Sequence, residues 1–105
     1  MVIIETPIFT KLIKELMNDD EYKDLQEALV SRPDRGSLIK NSGGLRKVRW
    51  ALAGRGKSGG ARVIYYWMTD NDQLYMLLAY PKNVQDNLTD TQLKALKKIV
   101  ERWSE

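Results

Sequence analysis

Neither cysteine nor histidine occurs among the 105 residues. Their absence excludes thiol nucleophiles, disulfides, Cys/His zinc sites, Ser–His pairs and imidazole acid–base chemistry. No apolar run approaches the ~20 residues that span a bilayer, so no membrane partner is expected. The opening Met1-Val2-Ile3-Ile4-Glu5 carries no export-signal pattern, which makes the cytoplasm the expected compartment. Acidic residues are missing where bases are densest. Lys40, Arg46, Lys47, Arg49, Arg55, Lys57 and Arg62 fall within Lys40–Trp67, and that block contains no Asp or Glu. It carries +7, against −3 for the 39 residues before it and −1 for those after, inside a modest total of +3. A one-sign block of this density suits a polyanion, because phosphate contact releases condensed counterions. A solvated surface is the ordinary alternative for a charge run. The length fits one domain over 1–105, and 43% hydrophobic residues can supply a modest core.

Periodicity divides the chain into two helices, a group of strands and a last helix. Val2–Glu5 is short and β-branched, as a strand is. Thr6-Pro7 reads as an N-cap with proline at the first helical position. Phe9, Leu12, Ile13, Leu16 and Met17 then form an apolar stripe at helical spacing. Asn18-Asp19-Asp20 interrupts it and caps a second helix carrying Tyr22, Leu25, Ala28 and Leu29, which Pro33 ends. Between Arg32 and Gly44 the chain is polar and turn-rich, with one brief extended piece at Leu38-Ile39. Leu45–Ala53 alternates, with Val48, Trp50 and Leu52 on one face and Lys47 and Arg49 on the other. Gly54–Gly60 reads as a loop. Ala61–Thr69 is apolar enough for a buried central strand. Gln73–Tyr80 makes a further strand, and Thr89-Asp90-Thr91-Gln92 is a capping box. Leu93, Leu96, Ile99, Val100 and Trp103 line the last helix. This order predicts an α+β fold, in which a helical hairpin packs on an antiparallel sheet and a C-terminal helix follows. With the helices on one face, the strand face bearing Lys47 and Arg49 stays open.

Several motifs are weaker than they look. Gly54, Gly56 and Gly59 match G-x-G-x-x-G, but a strand follows where a dinucleotide fold needs a helix. Gly56-Lys57-Ser58 resembles the end of a P-loop, yet Ala51 stands where its first glycine belongs. Asp19, Asp20 and Glu21 sit where acids meet a helix dipole, which explains them without a metal. Trp50, Tyr65, Tyr66, Trp67, Tyr75 and Tyr80 offer stacking surfaces for bases, although aromatic residues of a sheet mostly serve its core. One constellation remains. Lys47 and Arg49 share a strand face, Arg62 opens the next strand, and Lys82 and Asn83 follow the strand ending at Tyr80. If these strands are neighbours, the five groups converge at one end of the sheet. Convergent cations can hold a phosphodiester in line and stabilise a phosphorane. RNA brings its own nucleophile in the 2′-hydroxyl, so no metal or cofactor is expected. A phosphate-binding surface without catalysis would use the same residues.

Gly43-Gly44-Leu45 with Arg49, the run Gly59-Gly60-Ala61-Arg62-Val63-Ile64-Tyr65-Tyr66, and Tyr80-Pro81-Lys82-Asn83 before a capped helix resemble the RelE/HigB family of bacterial toxins. The resemblance covers essentially the whole chain and is closest to the HigB-like branch of type II toxin–antitoxin systems. It implies a metal-independent endoribonuclease that cleaves messenger RNA in the ribosomal A site. It also implies a cognate antitoxin, of the helix-turn-helix DNA-binding kind, through which alone operator DNA would be reached. Arg62 matches the family arginine that contacts the scissile phosphate. Lys47, Arg49 and Lys82 match basic or catalytic positions, and Asn83 matches an RNA contact. Lys40, Arg46, Arg55 and Lys57 are further candidates for RNA binding. Relatives often place Tyr or His near the start of the C-terminal region, and Val84–Thr89 has neither. The general base is therefore sought in Lys47, with a pKa lowered among cations, or in Tyr80. A gyrase poison of the related ParE type and a basic protein-interaction module are the alternative functions.

Overall fold

In the computed structural model, which describes residues 1–52 and 60–103, the elements run β1 (Val2–Glu5), α1 (Pro7–Leu16), α2 (Asp19–Ser31), β2 (Ser37–Leu38), β3 (Leu45–Ala51), β4 (Gly60–Met68), β5 (Gln73–Pro81) and α3 (Asp90–Trp103). Local chemistry sets the helix starts. Thr6 caps α1 by accepting from the Phe9 N–H, with Pro7 just inside. Asn18 and Glu21 close a reciprocal capping box on α2. Thr89 and Gln92 do the same for α3, at 3.1 and 3.0 Å.

The described strands form one five-stranded sheet in the order β1-β5-β4-β3-β2. Strands β3, β4 and β5 make the expected antiparallel meander, and β2 adds antiparallel to β3. The expectation of an antiparallel sheet needs one correction. β1 runs parallel to β5, so the sheet is mixed. The chain leaves β1 through two helices and three strands before β5, and no tight turn dictates their relative direction.

A second correction concerns the helices, which cover both faces. On one face α1 and α2 supply Phe9, Ile13, Leu16, Leu25 and Leu29 against Val48, Val63, Tyr65, Leu74 and Met76. On the other, Val100 of α3 is buried with Leu45, Ile64, Leu77 and Tyr80, and Leu93, Leu96 and Trp103 pack around them. The cause lies in β4, where Val63 and Tyr65 enter one core and Ile64 and Tyr66 the other. A strand apolar on both faces must be covered on both. A register shift at Ile64/Tyr65 leaves Leu77 as an extra residue in β5. Before β3, Gly43 and Gly44 adopt φ of +78° and +112°, a region that glycine enters at no steric cost. The Tyr66 ring lies against Gly44, where a Cβ would stand 3.0 Å from it.

Candidate active site at the open end of the sheet

α3 covers the Leu45 end of the second face, and the opposite end of that face holds polar groups. Register places Arg49 opposite Arg62, and Arg62 opposite Tyr80, so three neighbouring strands each contribute one side chain to a single row. Lys47 sits one pleat along from Arg49 on the same face. Two arginines paired across a ladder repel each other and destabilise the sheet. Arg62 adds a second cost, because it is only 5% exposed. A stability argument alone gives no reason for either feature.

The segment linking β5 to α3 closes over this row. Arg62 Nε donates to Asp86 Oδ1 at 2.9 Å, and its Nη1 donates to the Ala61 carbonyl at 3.3 Å. Lys47 Nζ donates to the Asp86 carbonyl at 3.2 Å and to Asn87 Oδ1 at 2.6 Å. The Tyr80 hydroxyl donates to the Asp86 carbonyl at 3.4 Å. Three of the expected catalytic groups thus converge on two consecutive residues. The hydrogen bond from Arg62 holds the Asp86 carboxyl below its ordinary range, reinforced by the charges of Arg62, Lys47 and Arg49. Burial, and then the Asp86 charge, push the Tyr80 phenol above its usual value. Tyr80 therefore keeps its proton at neutral pH, and in the structure its hydroxyl is a donor.

An open groove of ~590 Å³ adjoins the row, with Lys40, Lys47, Arg49 and Asn87 in its wall. Lys40, Lys47, Arg49, Arg62 and Tyr80 are thereby brought to one end of the sheet. Lys82 and Asn83 are exposed on the turn after β5, where the Lys82 amide donates to the Gly60 carbonyl. No side-chain hydrogen bond or ion pair among the described residues joins them to Arg62. Arg46 departs from expectation. It lies on the other face and donates to the carbonyls of Asp34 and Gly36, so it straps the loop before β2. Ala53, Arg55, Lys57 and the glycine-rich loop lie outside the described residues. Of the aromatic residues, Tyr75 stacks on Trp103 at 4.2 Å and Tyr66 meets it at 6.1 Å, while Tyr65 is fully buried. These three serve the core.

Sequence reasoning missed Asp86 and Asn87. A signal for Asp86 was present: it is the sole acid between Pro81 and Thr89, next to the end of a strand that neighbours a buried arginine. Among the described residues no three His, Cys, Asp or Glu side chains gather as a metal site, and no helix is long and apolar enough to cross a membrane.

Residues 1–105 match the protein family described as "RelE toxin of RelE / RelB toxin-antitoxin system". The fold is similar to that of a mutant of E. coli toxin RelE in the free state. The TM-score is 0.58 at 12% sequence identity, over 81% of this chain and 86% of that one.

Proposed function

The chain belongs to the RelE toxin family, and from that premise we propose that it is a single-domain endoribonuclease that cleaves messenger RNA on the ribosome and is neutralised by a cognate antitoxin. The observation that carries the reading is the Arg49–Arg62–Tyr80 row, with Lys47 beside it, at the mouth of a basic groove. In the reaction the 2′-hydroxyl gives its proton to water as its oxygen attacks phosphorus and the P–O5′ bond breaks, and solvent returns a proton to the group that protonates the leaving oxygen. The products are a 2′,3′-cyclic phosphate and a 5′-hydroxyl. Charge builds on the non-bridging oxygens, and fixed cations stabilise it there without reorganising. Arg62 and Arg49 would clasp those oxygens, and Lys47 would hold the strand in line. Tyr80, kept protonated, would donate to the leaving 5′-oxygen. Lys40 would contact the RNA backbone along the groove, and Lys82 and Asn83 would do so past the end of β5.

Asp86 Oδ1 stands where a phosphate oxygen would meet Arg62 Nε, so RNA would replace that carboxylate on entering. The helix-turn-helix class of antitoxin, which would bring operator DNA to the complex, belongs to the same reading. Primer extension on a message translated in a purified system tests it. Wild-type protein should produce breaks at codons in the A site, and Arg62→Ala should not. Equal cutting of naked RNA, or gyrase inhibition with messages intact, would refute it.

A further inference from the structure

Two grooves meet at the outer edge of β3. We infer that the second is a seat for a nucleobase of the RNA whose backbone the first holds. The inference rests on the nuclease reading above. Pairing between β2 and β3 stops at Lys47, so Val48–Ala51 has no described strand on its outer side. On one side of that edge lies the basic groove. On the other is a pocket of ~480 Å³ lined by Glu21, Asp24, Arg35, Arg49, Trp50 and Ala51. Arg35 and Arg49 line both, so the two spaces adjoin each other around the edge.

The chemistry of the second pocket differs from that of the first. Trp50 is half-buried and packs against the α1/α2 core, which fixes its ring. The Arg35 guanidinium lies 5.4 Å from the ring centroid. A flat π face under a planar cation is a stacking platform for a base, and an exposed cation–π contact yields readily to one. The carboxylates of Glu21 and Asp24 repel phosphate, so the backbone stays on the basic side. Glu21 Oε1 is held in the α2 capping box, so the exposed Asp24 carboxylate is the acceptor, and it suits bases that present an exocyclic amino group, namely cytosine, adenine and guanine. Uracil has none. The seat therefore takes one base of the bound codon, or of a base flanking it, and selects for the amino group.

The test uses the full chain on ribosomes programmed with messages varied one base at a time in and around the A site. Wild type should cut faster where one fixed position carries C, A or G than where it carries U. Trp50→Ala should cut about tenfold more slowly and flatten that preference, while Trp50→Phe should stay within about threefold. Asp24→Ala should narrow the gap between amino-bearing bases and uridine, and Arg35→Ala should slow cleavage. Asp24 and Arg35 are exposed, so their variants carry the test even if Trp50→Ala unfolds. Wild-type cleavage with an unchanged base profile in all three alanine variants would overturn the seat, and so would a uniform loss with the profile intact. Absence of cleavage by wild type would instead fail the nuclease reading.

Discussion

Replacing Arg62 with methionine should give a more stable protein that cuts RNA far more slowly. The side chain of Arg62 is 6% exposed, while its acidic partner Asp86 is 50% exposed. The desolvation cost of the guanidinium is therefore met by a carboxylate that itself remains half in water. Arg49 stands opposite on the same face and repels it. Methionine fills similar volume with no charge, and exchanging buried ionic groups for apolar ones of like size often stabilises by about 1–4 kcal/mol. Here one carboxylate bond is lost and a half-exposed Asp86 returns to solvent, so we expect about 1–2 kcal/mol in favour of the variant. For a chain of this size that raises Tm by roughly 5–10 °C. Cleavage should fall about 10²–10³-fold, the usual effect of removing one preorganised donor from a developing oxyanion. Thermal denaturation by circular dichroism gives the first quantity. Primer extension in a translating system gives the second. A methionine variant less stable than wild type by more than about 1 kcal/mol would refute the claim that Arg62 is held at a cost. Cleavage within tenfold of wild type would refute its role at the phosphate.

Thermal melting also checks two further outcomes, one at the Asp86 ion pair and one on the opposite face of the sheet. The lowered pKa of Asp86 means that its ion pair stabilises the fold above the ordinary carboxyl range, near pH 4, and is lost as pH falls through the lower folded value. Thermal scans of wild type against Asp86→Asn should show a constant gap from pH 7 to about pH 4 that closes below it; a gap unchanged at pH 2 would contradict the assignment. Tyr65→Phe removes a hydroxyl that accepts from Gly36 N–H at 2.8 Å and donates to the Pro33 carbonyl at 2.6 Å. Leaving that buried N–H unpaired should cost about 2 kcal/mol, roughly 10 °C in Tm, and unchanged melting would show that water replaces the phenol.

Much of the fold was legible because each element carries its own local signal. Thr6-Pro7, Asn18 and Thr89-x-x-Gln92 mark helix starts by unpaired N–H groups that need acceptors, and those acceptors are printed in the chain. What the sequence conceals is relational. Nothing in Val2–Glu5 states that it pairs parallel with β5, since partner choice in a sheet depends on the whole topology. The placement of α3 could have been read from β4. Its apolar run, identified as a buried central strand, already requires cover on two faces, and only one remained after α1 and α2 were used.

The site divides along the same line. Arg49, Arg62 and Tyr80 were accessible to sequence reasoning because strand alternation and neighbouring order are enough to align them. Arg46, named only as a candidate for RNA binding, is next in chain to Lys47 and so points the other way, where the carbonyls of Asp34 and Gly36 accept from it. Asp86 arrives from an irregular segment that has no period to read. Its position follows only from an electrostatic demand, that a guanidinium taken out of water find an anion. Under the proposed nuclease reading, that demand also links structure to activity. A cation kept buried, set against a second arginine and answered by a half-exposed carboxylate, is poorly satisfied in the free protein, and a phosphodiester would satisfy it better. On that reading the binding energy for RNA at this rim would be prepared by the fold, in a row of charges whose partner is easily exchanged.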